Sequence, residues 1–181
     1  ESLQGNVTFV NTGAIAAVEN SGNVNSSVTR GARVEAADNA TVTNSGFIAS
    51  ENDGGQAAGL SVVSYNSGIL SITNAVTGDI GAEANNGGDA IALFAGSNGD
   101  GAINITTAGD IAAASEDDNA FGMFTALGDI NITAASTSEI NVQGGDDATG
   151  IYSLVIADQT VDISNAGLIE TDAGDDAYGI K

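Results

Sequence analysis

Residues 161–180 read VDISNAGLIETDAGDDAYGI, and the chain upstream repeats that pattern, with variations, about six times in all. The unit splits into three short β-like pieces, VDIS, LIET and AYGI. A polar turn at Asn165, Ala166 and Gly167 and an acidic loop from Asp172 to Asp176 join them. No piece is long enough to stand alone, so the unit reads as one turn of an array. LIET aligns on Ile169 with Ile140, Ile111, Ile80, Ile48 and Ile15; counted from Ile15, the spacings are 33, 32, 31, 29 and 29 residues. AYGI aligns with ATGI, AFGM, AIAL and AAGL, which begin at Ala148, Ala120, Ala90 and Ala57. Two independent registers therefore give one period.

Within the pieces the polarity alternates. Phe9, Val42, Ile72, Ile105, Ile132 and Ile163 form an apolar column, flanked on one side by Thr8, Thr41, Ser71, Asn104, Asn131 and Asp162. That is the period of two that a strand with one buried face requires. Gly, Asn, Thr and Ser are poor helix formers, and a helical period finds no equal support. The second piece puts its isoleucines inward, with mostly small residues two positions later (Ala17, Ser50, Ala82, Ala113, Val142, Thr171). In the third, Leu60, Leu93, Met123, Ile151 and Ile180 follow Gly59, Ala92, Gly122, Gly150 and Gly179, where a small residue predicts a bend, a bulge or a close backbone approach. Tyr178 and its equivalents Ala58, Ile91, Phe121 and Thr149 are mixed in character, which leans them outward.

Three inward columns from three strands per turn describe an all-β chain folded as a parallel β-solenoid of about six three-stranded coils. Residues 1–181 then form one domain, with 1–40 an irregular first coil and 41–181 the regular repeats of about thirty residues. At one strand spacing of about 4.8 Å per coil, the rod is roughly 30 Å long.

Composition fits such a rod. Of the 181 residues 42% are hydrophobic but only 4% aromatic, so the core is thin and aliphatic. Three Lys and Arg face 24 Asp and Glu, a formal net charge of −21, which repels nucleic-acid phosphates and anionic lipid. The same field attracts divalent cations and basic surfaces. There is no Cys, and a solenoid that buries repeat against repeat needs no disulfide; there is no Pro to interrupt a continuous ladder. No apolar run approaches the roughly 18 residues of a membrane span. A start at Glu1 rather than Met suggests a processed or excised product.

The acidic loop before the third strand holds the most chemistry. Stacking would place Asp118, Asp146 and Asp175 one strand spacing apart, and likewise Asp147 and Asp176. Like charges at that distance in water repel by roughly 0.9 kcal/mol per pair, which a cation would relieve. Calcium takes several carboxylate and carbonyl oxygens, and this edge supplies both. The loops match neither the glycine-rich nonapeptide nor the EF-hand pattern, and a solvated, repulsive edge that keeps the rod soluble explains the acids equally simply. Calcium is the only cofactor the sequence suggests.

Paired carboxylates also serve glycoside hydrolysis, but here they recur on every coil with no distinguished set, which argues for surface. With no His, no His-based triad or zinc site can form. Arg30, Arg33 and Lys181 are the only candidate basic catalysts, and none is expected to sit beside the acidic cluster; Arg30 and Arg33 relieve charge near the first coil. Phe121, Tyr152 and Tyr178 offer rings that stack on sugars or on another protein, or simply pack. Asn11, Asn44, Asn74 and Asn165 form a column at the first turn, interrupted by Thr107 and Ala134. It reads either as an axial ladder or as separate turn residues.

The units NITTAGDIAAASEDDNAFGM and DISNAGLIETDAGDDAYGI resemble the passenger region of autotransporter-type and haemagglutinin-like surface proteins of Gram-negative bacteria, from about Asn44 onward. The resemblance implies a right-handed β-helix, exported, displayed on the cell surface or shed, and working in adhesion or biofilm. The expected function is therefore a non-enzymatic structural or adhesive element outside the cell. Its partners would be copies of itself or a host or cell-surface protein or glycan, with no nucleic acid and no membrane insertion of this segment. The family's C-terminal membrane barrel has no counterpart in these residues. Ending on a third strand at Ile180-Lys181, the chain either continues into another coil or offers an open edge on which copies stack head to tail into a filament, with or without calcium. A polysaccharide-active β-helix is the remaining alternative.

Overall fold

The structure, a computed structural model, describes residues 5–19, 28–156 and 158–181. The chain winds through six coils of three strands each. Coil one holds β1 (Val7–Asn11), β2 (Ala14–Glu19) and β3 (Val28–Ala36); coil two β4 (Ala40–Asn44), β5 (Phe47–Asp53) and β6 (Gln56–Ser64). Coil three holds β7 (Leu70–Asn74), β8 (Asp79–Asn85) and β9 (Ala90–Ser97); coil four β10 (Ala102–Thr107), β11 (Ile111–Ser115) and β12 (Ala120–Ala126). Coil five holds β13 (Asp129–Ala134), β14 (Glu139–Gly144) and β15 (Ala148–Leu154); coil six β16 (Val161–Asn165), β17 (Leu168–Ala173) and β18 (Ala177–Ile180). Equivalent strands pair in parallel, giving three six-stranded sheets, each running in coil order along the axis. No helix among the described residues is long and apolar enough to cross a membrane.

The registers follow the sequence columns. Val42 pairs Phe9 and Ile72, Ile48 pairs Ile15 and Ile80, and Leu93 pairs Leu60 and Met123. Coils two to five enclose a continuous core in which Ile48, Leu60, Ile72, Ile80, Leu93, Ile105, Ile111, Met123 and Ile132 are buried. Each such side chain contributes about 1.5–3 kcal/mol on leaving water, which is how thin coils with no aromatic centre hold together. On the terminal coils Phe9, Ile15, Ile163 and Ile169 are only partly covered.

Coil one carries three strands like the others. Its third strand, Val28–Ala36, lies outside the repeat alignment, because Arg30-Gly31-Ala32 stands where coil two has Ala58-Gly59-Leu60 and no large apolar residue marks the column. The connection at 20–27 lies outside the described residues.

In the third sheet the expected close approach is real. Ala57, Leu60 and Val62 are all buried, so the inward phase shifts by one residue across Gly59. A Cβ on Gly59 would lie 2.5 Å from the Gly81 carbonyl and 2.7 Å from that of Ala92; one on Gly122 would lie 2.6 Å from the Gly150 carbonyl and 2.7 Å from Ile140 Cγ2. Contacts that short leave room for hydrogen only at Gly59 and Gly122, while coil three fits Ala92 at the same place; these two positions need glycine for space rather than for an unusual φ.

The first turn is cross-linked by side chains. Asn11 Nδ2 donates to Asn44 Oδ1 at 2.8 Å, Asn44 Nδ2 to Asn74 Oδ1 at 2.9 Å, and Asn74 Nδ2 to Thr107 Oγ1 at 3.4 Å. The same Asn11 and Asn44 oxygens accept from the backbone N–H of Gly13 and Gly46. Ladder and turn are therefore one device, running over four coils.

Candidate functional site

The phase shift at the glycine column decides which residues share the outer face of the third sheet. In an uninterrupted strand, residues three apart face opposite sides. Across Gly31 and Gly122 they face the same side, so Arg30 joins Arg33, and Phe121 joins Phe124. Pairing along the axis then stacks Phe94 on Phe124 and Phe124 on Tyr152. The result is a ring cluster: Phe124 lies 5.7 Å from Phe94, 5.4 Å edge-on from Phe121 and 5.0 Å from Tyr152, and Phe121 lies 5.8 Å from Tyr152. These rings are half-buried. Tyr65, just beyond β6, and Tyr178 in β18 lie on the same sheet outside the ring cluster, so six of the chain's eight Phe and Tyr belong to this face.

Charge separates the same way. Arg30 and Arg33 lie in β3, and Lys181 follows β18 with its Nζ 4.2 Å from the centre of the Tyr178 ring. Those are all the cations of the chain, and of its 24 acidic residues only Glu35 lies in a strand of this sheet. Glu35 is buried and accepts from the Tyr65 hydroxyl and from Arg33 Nη2. The Tyr65 hydrogen bond above all, then Arg33, holds its carboxyl below the usual range against the opposing effect of burial. In return Glu35 raises the pKa of Arg33 and of Tyr65.

Two concavities open on this face. One, of about 240 Å³, is lined by Arg30, Arg33, Gln56, Ser61, Ile91 and Phe94 among others. The second, of about 310 Å³, includes Tyr65, Asn98, Ala126 and Leu127, and Val63 and Phe94 line both. Phe94 leans over Gly96, where a Cβ would sit 3.2 Å from its ring. Leu127 holds a positive φ of 61°, a strained conformation for a branched side chain at the wall of the second cavity. On the adjoining side of the coil, the second sheet's outer surface forms a groove of about 440 Å³ floored by Ala16, Ala49, Gly81 and Ala112. Glu51 and Glu83 flank it, so it offers shape without a cation.

The five aspartates of the acidic edge stack as the sequence implies. Asp146 N–H donates to the Asp118 carbonyl at 3.2 Å and Asp175 N–H to that of Asp146 at 2.9 Å. The Asp147 and Asp176 carbonyls accept from Ala120 and Ala148 at 2.9 and 3.0 Å. Their carboxylates do not converge. Asp118 Oδ2 turns back to the N–H of Gly88 at 2.6 Å, and Asp176 Oδ2 accepts the Tyr178 hydroxyl at 3.0 Å, raising that hydroxyl's pKa. Asp146 and Asp175 are exposed. Among the described residues no group of three or more acidic side chains is arranged to hold a metal ion. The neighbouring column is quieter: Asp89 accepts from the amides of Gln56 and Asn119, both at 3.1 Å.

Of the rings named from sequence, Phe121, Tyr152 and Tyr178 lie on the aromatic face. The meeting of Phe121 with Phe124, and of Arg30 with Arg33, escapes a reading that assumes unbroken alternation. A small residue, glycine in four coils and Ala92 in the third, before each inward Leu, Met or Ile is the signal in the sequence.

Fold and faces together define a β-helix repeat protein, with one aromatic and cationic face on an otherwise acidic rod. Comparison with family models, with curated proteins and with solved structures returned no match to any of the three.

Proposed function

We propose that this chain is an exported, non-enzymatic structural or adhesive element of a bacterial cell surface or biofilm matrix, which contacts its partner through the outer face of the third sheet. One observation carries the reading: every Lys and Arg and six of the aromatic side chains share that face, where Glu35 is the single acid in its strands. Aromatic rings and arginine are the residues that interfaces concentrate, and on a rod of net charge −21 this is the face from which long-range repulsion of a partner is weakest. The repeat units' resemblance to autotransporter passenger regions points the same way.

Attachment measures it. Beads coated with the chain, and beads coated with the Phe94→Ala/Phe124→Ala double variant, are scored on biofilm matrix and on epithelial layers. The expected result is retention of the first and loss of the second, with circular dichroism confirming that both fold. Equal retention of coated and bare beads overturns adhesion. Depolymerisation of an acidic polysaccharide, abolished by Asp146→Asn with Asp147→Asn, would make the chain an enzyme. Filaments grown from the purified chain in electron microscopy would favour the self-assembling subunit instead.

A further inference from the structure

We propose that the cavity between Arg30, Arg33 and Phe94 binds a carboxylate-bearing sugar residue of a glycan, such as a uronic acid. The inference rests on the adhesive reading only in using the same face. The cavity's wall carries two kinds of surface side by side. Arg30, Arg33, the Gln56 amide and the Ser61 hydroxyl supply donors, while Ile91 and the Phe94 ring supply an apolar floor.

That division matches a pyranose acid. Such a sugar has an apolar C–H face that stacks on a ring, hydroxyls at its rim and one carboxylate. A guanidinium is the group whose planar fork suits a carboxylate best. Arg33 gives its Nη2 to Glu35, and that bond holds the side chain in place at the cavity wall. Arg30 is exposed at the mouth. An acidic peptide would bring a carboxylate but no flat apolar face for Phe94. Glycan is therefore favoured over peptide.

Charge also sets the kind of glycan. The rod's net charge of −21 repels a dense polyanion, so the ligand carries separated acid groups among neutral sugars. Phe94 lines the neighbouring 310 Å³ cavity as well, where Tyr65 and the Asn98 amide would meet a second, neutral residue of the same chain.

The test is calorimetric titration of the intact chain with three probes: a trisaccharide of two glucoses and one terminal glucuronate, glucotriose of the same linkage, and triglutamate. The acidic trisaccharide is expected to bind roughly tenfold more tightly than the neutral one, the worth of one charge-assisted contact. Arg30→Gln should erase that preference, and Phe94→Ala should weaken both sugars. Equal binding of the two sugars, or no binding of either, overturns the proposal, and triglutamate binding as tightly as the acidic sugar overturns its glycan part. Beads that adhere as well with Arg30→Gln as without would leave adhesion standing while this inference fell.

Discussion

Phe121 and Phe124 meet edge to face, ring centroids 5.4 Å apart and planes at 79°, although regular alternation would send residues three apart to opposite faces. Gly122 between them makes the contact possible. It absorbs the phase shift at a point where a Cβ would collide with the Gly150 carbonyl and with Ile140 Cγ2, at 2.6 and 2.7 Å. Gly122→Ala is therefore expected to cost about 1–3 kcal/mol, the usual penalty of overpacking a tight core. It should also weaken the aromatic near-ultraviolet circular dichroism, since the rings lose their shared face. Gly179→Ala is the control, because a Cβ there meets nothing within 4 Å. Equal urea midpoints for the two variants would show that the corner has space to spare.

The same glycine explains what sequence made legible and what it hid. Ile48, Ile80 and Ile111 lie in strands that alternate without interruption, so their column, its register and the coil count follow from spacing alone. The acidic loop was equally readable as a stack, because its backbone continues the ladder. What spacing cannot convey is direction after a phase shift. Arg30 with Arg33, and Phe121 with Phe124, look like residues of opposite faces until the glycine column is known to be tightly packed. The Glu35–Tyr65 contact needs no shift: Glu35 pairs Val63, and Tyr65 two residues on faces the same side.

That contact sets a pH dependence. A carboxyl depressed in the folded state, as Glu35 is, contributes stability that is complete above its unfolded pKa of about 4.3 and is lost as the pH falls through the lower folded value. Tyr65 is raised, so its contribution is complete below its unfolded pKa of about 10 and is lost as the pH climbs through the higher folded value. Urea midpoints of the chain and of Glu35→Gln should therefore differ most between about pH 4.3 and 10, and converge outside that window. A constant gap from pH 3 to 11 would mean that Glu35 acts by shape rather than by charge.

The acidic edge has a different signature. Its stacked carboxylates repel by about 0.9 kcal/mol per pair at one strand spacing in water, and salt screens such pairs. The melting temperature should rise with sodium chloride, and Asp146→Asn with Asp147→Asn should raise it at low salt. Because Asp118 is committed to Gly88 and Asp176 to Tyr178, calcium chloride at matched ionic strength is expected to give the same rise as sodium chloride. An additional calcium-specific rise that vanished in the Asp146→Asn, Asp147→Asn variant would establish a metal edge.

Asn44 tests whether the turn column acts as a unit. Its side chain is fully buried, and all four of its hydrogen-bonding positions are used: donors to Asn74 Oδ1 and the Asp79 carbonyl, acceptors from Asn11 Nδ2 and Gly46 N–H. Asn44→Ala would strip a partner from Asn11 above and Asn74 below in a place water does not reach, an expected cost of about 2–4 kcal/mol. Thr107 closes the series by donating to the Gly109 carbonyl at 2.9 Å, so the Ala134 beyond it leaves nothing unpaired. Asn165, exposed on coil six, bonds only within its own turn, and Asn165→Ala should cost under about 1 kcal/mol. Comparable losses from Asn44→Ala and Asn165→Ala in urea titrations would mean that the column is a set of separate turns and not a ladder.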